Sequence, residues 1–262
     1  MKAGLAFLSA LCLSACGDDA ASTQSPPAQP QPLLSGYEFL QPQTRALQDD
    51  NFANPGFLWI DRGEALFSTA AASGEACSDC HTDTSLPLAG AAAHYPKIDA
   101  ESGDLVNLEA RINLCRMRYQ DEAPLEYESD ELLSLTAYVA YLSRGTPVSV
   151  DIEGAAADWY ARGRDYFETR RGQFNLSCTQ CHDDNWGKKL RGDTISQGHG
   201  TGFPAYRLEW QSLGSLHRRL RDCDAGVRAE PRMFGSDDYL AVELYLAKRA
   251  EGLEIETPGV RR

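Results

Sequence analysis

Cys77-Ser78-Asp79-Cys80-His81 and Cys178-Thr179-Gln180-Cys181-His182 are two copies of the pattern Cys-x-x-Cys-His in one chain of 262 residues. The pattern meets the chemical requirement for covalent attachment of a c-type haem. Two thiols add across the porphyrin vinyl groups, and the adjacent imidazole is then held where it reaches the iron as proximal ligand. Two copies predict two haem c groups, one on Cys77 and Cys80 with His81, the other on Cys178 and Cys181 with His182. The other use of four such thiols is a zinc ribbon, which needs no histidine directly after each second cysteine.

The chain around the motifs is duplicated. Arg62-Gly63-Glu64-Ala65-Leu66-Phe67 matches Arg162-Gly163-Arg164-Asp165-Tyr166-Phe167 at an offset of 100. Leu105, Leu108, Arg111, Ile112 and Cys115 match Leu213, Leu216, Arg219, Leu220 and Cys223 at 108, and Ser129, Asp130 and Tyr138 match Ser236, Asp237 and Tyr245 at 107. Three anchors in one order argue for tandem copies of one fold. Leu105, Leu108 and Ile112, like Leu213, Leu216 and Leu220, recur at three- and four-residue steps, the period of a helix with one buried stripe. Ser129 and Ser236 precede acidic residues and are expected to cap terminal helices. Glycine- and proline-rich stretches around His94 and from 198 to 204 read as loops along a haem edge. The expected fold is mainly α, with two tandem class I cytochrome c-like domains, residues 37–150 and 151–262, each enclosing one covalent haem.

The N-terminus fits haem chemistry outside the cytoplasm. Lys2 precedes an apolar run over 3–15 that is too short to span a bilayer and reads as an export signal. It ends Leu13-Ser14-Ala15-Cys16, which resembles a bacterial lipobox, so a lipidated Cys16 and a membrane-tethered periplasmic lipoprotein are expected. Cleavage that releases a soluble periplasmic protein is the alternative. Residues 17–36 are rich in Asp, Ser, Gln and Pro and read as a flexible tether.

Of eight cysteines, Cys12 falls in the signal, Cys16 in the lipobox and four in the haem motifs, leaving Cys115 and Cys223. They hold the same repeat position on apolar helix stripes, as expected of sixth ligands to the two irons. A disulfide between them, or two inert core thiols, is the alternative. Met117 and Met233 do not occupy matching positions, while His94 and His199 follow the motifs and serve more simply as hydrogen-bonded loop residues. The net charge of −13 disfavours nucleic-acid partners. Yet Arg218, Arg219 and Arg221 precede Cys223 and Arg228 follows it. Arg219 stands one helical turn before Cys223, where a guanidinium favours thiolate and binds small oxyanions; Arg111 bears the same relation to Cys115.

These residues resemble the dihaem SoxA subunits of the thiosulfate-oxidising Sox system, L-cysteine S-thiosulfotransferases. The resemblance runs through Gln48-Asp49-Asp50, Asn54-Pro55-Gly56, Asn113-Leu114-Cys115-Arg116, residues 187–191, Gly214-Ser215-Leu216-His217-Arg218-Arg219 and Cys223-Asp224-Ala225-Gly226-Val227-Arg228-Ala229-Glu230-Pro231. It implies that His81 with Cys115 and His182 with Cys223 ligate the two irons. It also implies that Cys223 is the sulfur-transfer cysteine, carried as a persulfide, and that Arg219 contacts substrate, with Arg228 a candidate support. The implied reaction joins thiosulfate to a cysteine of the carrier SoxYZ and passes two electrons through a SoxX-type small cytochrome, the partner in a heterodimer, to a cytochrome c acceptor. A thiosulfate dehydrogenase making tetrathionate and a non-catalytic dihaem electron carrier are the competing expectations. A dihaem peroxidase needs an iron open to peroxide, which paired cysteine ligands would close.

Overall fold

The structure is a computed structural model that describes Met1 and residues 32–82 and 86–262. The expected signal, the lipobox cysteine Cys16 and nearly all of the expected tether lie outside the described residues. Residues 33–262 form one compact unit.

The first repeat runs through helices α1 (Pro42–Asp49), α2 (Phe57–Phe67) and α3 (Cys77–Cys80). It continues with the short strands β1 (Lys97–Ile98) and β2 (Leu105–Val106), then α4 (Leu108–Tyr119) and α5 (Asp130–Tyr141). The second follows as α6 (Ala157–Glu168), α7 (Cys178–His182), the hairpin β3 (Lys189–Leu190) and β4 (Asp193–Thr194), and strands β5 (Ala205–Arg207) and β6 (Ser212–Gly214). It closes with α8 (Leu216–Gly226), α9 (Asp237–Arg249) and β7 (Gly259–Arg261). Each repeat is a cytochrome c fold, whose first long helix crosses its last.

The matched residues are the ones that make this crossing. A Cβ on Gly63 would lie 2.1 Å from the Ser134 carbonyl oxygen, and one on Gly163 would lie 2.0 Å from that of Ala241, so only glycine lets these backbones touch. Arg62 pairs with Asp130 and Glu131 beside the first crossing, and Arg162 with Asp237 and Asp238 beside the second. The Phe67 and Tyr138 rings sit 5.4 Å apart, Phe167 and Tyr245 5.3 Å, within the range of favourable aromatic contacts.

Caps start the helices near the expected places. Ser129 accepts from the Leu132 N–H, Asn107 from Ala110 and Ser215 from Arg218. Ser236 also precedes its helix, but its hydroxyl makes no cap bond and is buried without a partner. Acidic Asp237 and Asp238 in the first turn of α9 favour that end through the helix dipole instead.

The repeats share cores. Leu105 of the first packs with Leu240 and Leu244 of α9, and Ile60, Leu133 and Ala137 pack with Tyr206 and Leu213 of β5 and β6. The chain ends meet too. The central strand β5 pairs antiparallel with β6 and parallel with β7, while Gln48 of α1 accepts from the Val260 N–H at 2.9 Å and Asn54 donates to the Pro258 carbonyl at 2.9 Å. This explains why the polar segments 48–50 and 54–56 carry a recognisable pattern: they dock the C-terminal strand. Among the described residues, no helix is long and apolar enough to cross a membrane.

Candidate functional site

Each Cys-x-x-Cys-His motif sits on one turn of helix, which presents its two thiols three residues apart on one side. The imidazoles are held alike. His81 Nδ1 donates to the Leu86 carbonyl at 2.9 Å, and His182 Nδ1 to the Ser196 carbonyl at 2.8 Å. A carbonyl only accepts, so Nδ1 carries the proton and Nε2 keeps its lone pair for a metal. With free thiols beside each imidazole, the residues fit a c-type haem at both motifs.

Cys115 on α4 lies within the electrostatic reach of Cys77, and Cys223 on α8 within that of Cys178 and Cys181. Each late cysteine thus joins its own motif. The six described cysteines are all free, so the disulfide alternative between Cys115 and Cys223 is not formed. Among the described residues, no cluster of three or more metal-ligating side chains offers a zinc site.

The thiols differ in kind. Burial pushes Cys77 and Cys115 up, and Cys178 up to about 12. Burial acts against the Cys223 thiolate as well. There, however, the Arg219 guanidinium leads the groups that outweigh it and hold the thiol below its ordinary value. Arg219 is half-buried and, among the described residues, has no carboxylate ion pair; the field of Cys223 is the main cause that raises its own proton affinity. A guanidinium with unengaged N–H groups beside a low thiol can bind an oxyanion and present its far end to sulfur.

The residue after Cys223 anchors the site from below. Asp224 is buried and accepts from Tyr166 Oη at 2.6 Å, Tyr239 Oη at 2.8 Å and Arg171 Nη1 at 3.3 Å. Sequence reasoning passed over this carboxylate. Its signal was a broken repeat, since Asp224 stands where the first repeat has Arg116. Arg228 leaves α8 in the left-handed region, at φ 58°, donates to Gln173 and lies over the Phe174 ring. His94, exposed at the end of a 3-10 turn, donates from Nδ1 to the Ser149 carbonyl at 2.8 Å, and His199 is pushed down to about 4 by burial and by the charges of Arg249 and His182. His217 is buried away from the thiol, accepts from the Gly235 N–H and faces Glu243 at 2.9 Å.

Comparison with known proteins agrees with this geometry. The SoxA/TsdA cytochrome c domain matches residues 62–148 and 162–255, one match per repeat. The L-cysteine S-thiosulfotransferase subunit SoxA of Pseudaminobacter salicylatoxidans is 40% identical over 232 residues, which cover 87% of this chain and 81% of that protein. The chain belongs to the SoxA family. The SoxA subunit of Paracoccus pantotrophus is 36% identical over 87% of this chain and 79% of its own. The crystal structure of SoxXA from P. pantotrophus superposes with a TM-score of 0.82 at 35% identity, covering 88% of this chain and 87% of that one. SoxA membership agrees with the expected fold class.

Proposed function

We propose that the chain is the catalytic subunit of an L-cysteine S-thiosulfotransferase that conjugates thiosulfate to a cysteine thiol of a SoxYZ-type carrier. The observation that carries this reading is the placement of Cys223 with the second motif's cysteines, one helical turn after Arg219, a guanidinium with no carboxylate ion pair among the described residues. The SoxA relatives bear the same activity in their names, and the related crystal structure contains a SoxXA assembly, which supports a SoxX-type small cytochrome as partner.

Two haem c groups would be held, one by Cys77, Cys80, His81 and Cys115, the other by Cys178, Cys181, His182 and Cys223. When bound, a haem supplies a one-electron acceptor beside the sulfur chemistry and an exit toward the small cytochrome and a cytochrome c acceptor. Arg219 binds the sulfonate oxygens of thiosulfate and turns its terminal sulfur toward Cys223. The Cys223 sulfur, soft and with its thiolate favoured by Arg219, is the group that carries sulfur as a persulfide. In the net reaction a carrier thiol and thiosulfate form one S–S bond, giving the S-sulfosulfanyl carrier, one proton and two electrons. His182 and the Asp224 anchor fix the position of Cys223, and Arg228 supports the loop that follows. Lipidation of Cys16 would hold this machinery at the periplasmic face of a membrane; mass spectrometry of the mature N-terminus tests that part.

The deciding experiment supplies the haem-loaded protein and its small cytochrome with thiosulfate and an electron acceptor, with and without the carrier. Reduction that requires the carrier is expected. Carrier-independent reduction with tetrathionate as product would make the chain a thiosulfate dehydrogenase.

A further inference from the structure

Beside α8 stands a second arginine that the sequence motifs do not mark. Arg207, the last residue of β5, has a side chain only 8% exposed, and its Nε has no hydrogen-bond partner. Its Nη2 donates at 2.9 Å to Glu209, a carboxylate 62% exposed at the tip of the β5–β6 hairpin. A buried guanidinium with one exposed partner and an unused N–H is an incomplete arrangement, because each buried N–H left unpaired is costly.

The hairpin is pinned to the helix that carries Cys223. The Trp210 indole lies 5.0 Å from the Arg207 guanidinium and 4.3 Å from that of Arg218. Its Nε1 donates to Asp222 at 2.9 Å, the residue before Cys223. The indole also abuts Gly214, where an added Cβ would lie 2.4 Å from the ring, so the hairpin has little room to shift. Residues 218 and 222 form the helix row next to that of Arg219 and Cys223. Like-charge repulsion from Arg219 reaches Arg207 and adds to burial in lowering its proton affinity. Arg207, Arg219 and Arg262 together hold the Glu209 carboxyl below the usual range, Arg207 most of all. Glu209 is therefore the carboxylate bound directly to Arg207, while Asp222 is engaged by the Trp210 indole and Asp193 pairs with Arg262.

We propose that Arg207 is a second cation of the substrate site, receiving thiosulfate together with Arg219, and that Glu209 fills this anion position until the dianion displaces it. The inference deepens the function proposed above and rests on it for the identity of the anion. Thiosulfate carries two negative charges, and the conjugated product carries one on the same sulfonate. Two guanidiniums match the substrate; after conjugation one charge is gone, and the returning Glu209 competes better for Arg207, which favours release. Arg207 is in this sense a specificity-determining residue, selecting a dianion.

The test is calorimetric titration of the haem-loaded complex with inorganic thiosulfate, and with sulfate as an unreactive dianion, alongside steady-state turnover with the carrier. Arg207→Gln is expected to raise the thiosulfate and sulfate dissociation constants about tenfold or more, the scale of one charge-assisted contact, with kcat within about threefold of wild type. Arg207→Lys restores most of the affinity. Glu209→Gln, at an exposed position that tolerates substitution, is expected to tighten both anions about threefold. A merely structural ion pair predicts the opposite for Glu209→Gln, unchanged or weaker binding, and that result overturns the proposal even if Arg207→Gln does not fold. Dissociation constants unchanged in both variants, with normal carrier-dependent turnover, sink this inference alone. The expected shifts in a wild-type protein that never conjugates the carrier would sink the proposed function and leave the anion site standing.

Discussion

Cys115 and Cys223 hold the same position in two copies of one fold, each one helical turn after an arginine, yet burial pushes the first thiol up while the second is held low. The difference lies in what the arginines are doing. Arg111 is bound to Asp99 through Nη2, and Arg118 binds the same buried carboxylate at 2.7 Å. Arg111 reaches the Cys115 sulfur too, but Asp99, which shares its charge, acts on that thiol with the opposite sign and burial prevails. Arg219 has no carboxylate ion pair among the described residues, and the charge that acts on it most is that of Cys223. Below Cys223, Asp224 ties the helix to two tyrosines and Arg171, whereas Arg116 at the matching place pairs outward with Glu122. One repeat uses its polar groups to close a structure and the other leaves them available for chemistry.

The largest expected effect divides the two cysteines directly. Cys223→Ala should abolish carrier-dependent turnover, by about a thousandfold or more as for loss of other covalent nucleophiles, while mass spectrometry still finds covalent haem. Cys115→Ala should keep turnover within a few-fold and change only the absorption spectrum of its own haem. Equal losses in both variants would remove the functional asymmetry.

Next come the arginines. Arg219→Gln should cost about a hundredfold in kcat/KM, as for loss of a donor to a reacting anion, and Arg111→Gln far less. The pH profile gives the sign. Cys223 is held low, so its reactive thiolate is present above the folded value and is lost as pH falls through it. Without Arg219 the thiol rises, and the acid limb of the rate profile should move to higher pH. A limb that stays in place would show that another group governs it.

Where the repeats are alike they should fail alike. Gly63→Ala and Gly163→Ala each force a methyl against a backbone carbonyl near 2 Å away, so the helices must separate. Overpacking of this kind costs about 1–3 kcal/mol, which lowers the melting temperature by roughly 2–10 °C in a chain of this size. A large gap between the two variants in thermal melts would mean that the crossings are not equivalent.

Much of this was legible in the sequence because it is local. Haem attachment needs thiols at fixed spacing, and the helix crossing needs glycine with an aromatic one turn on, so Cys178, His182, Gly163 and Phe167 announce themselves. The partners of the arginines did not. Nothing in the spacing distinguishes Arg111 from Arg219, since the carboxylate that occupies Arg111 comes from the turn after β1, and Arg207 is brought beside α8 only by the hairpin and its indole. The bond from Gln48 to Val260 spans 212 residues and depends on the whole chain being folded. Ser236 shows the reverse case, in which the right residue type at the right place has its hydroxyl buried and unused.

The smallest effect is the one that would make the first site resemble the second. Asp99→Asn removes the carboxylate from Arg111 and Arg118, so the Arg111 field is freed toward Cys115 and the thiol there should fall. Turnover should be unchanged, because the substitution leaves Cys223 and Arg219 untouched. Stability should drop by a few degrees at neutral pH, with a defined pH dependence. The two arginines hold the Asp99 carboxyl well below the usual range, Arg118 most strongly. A depressed carboxylate contributes stability that is fully present above its unfolded value, near pH 4, and is lost as pH falls through the folded one. The melting difference between wild type and Asp99→Asn should therefore be flat from about pH 7 to 5 and narrow below about pH 4. A difference that instead grows on acidification would mean that Asp99 is not the charge that quiets the first repeat, and the contrast between the two cysteines would need another cause.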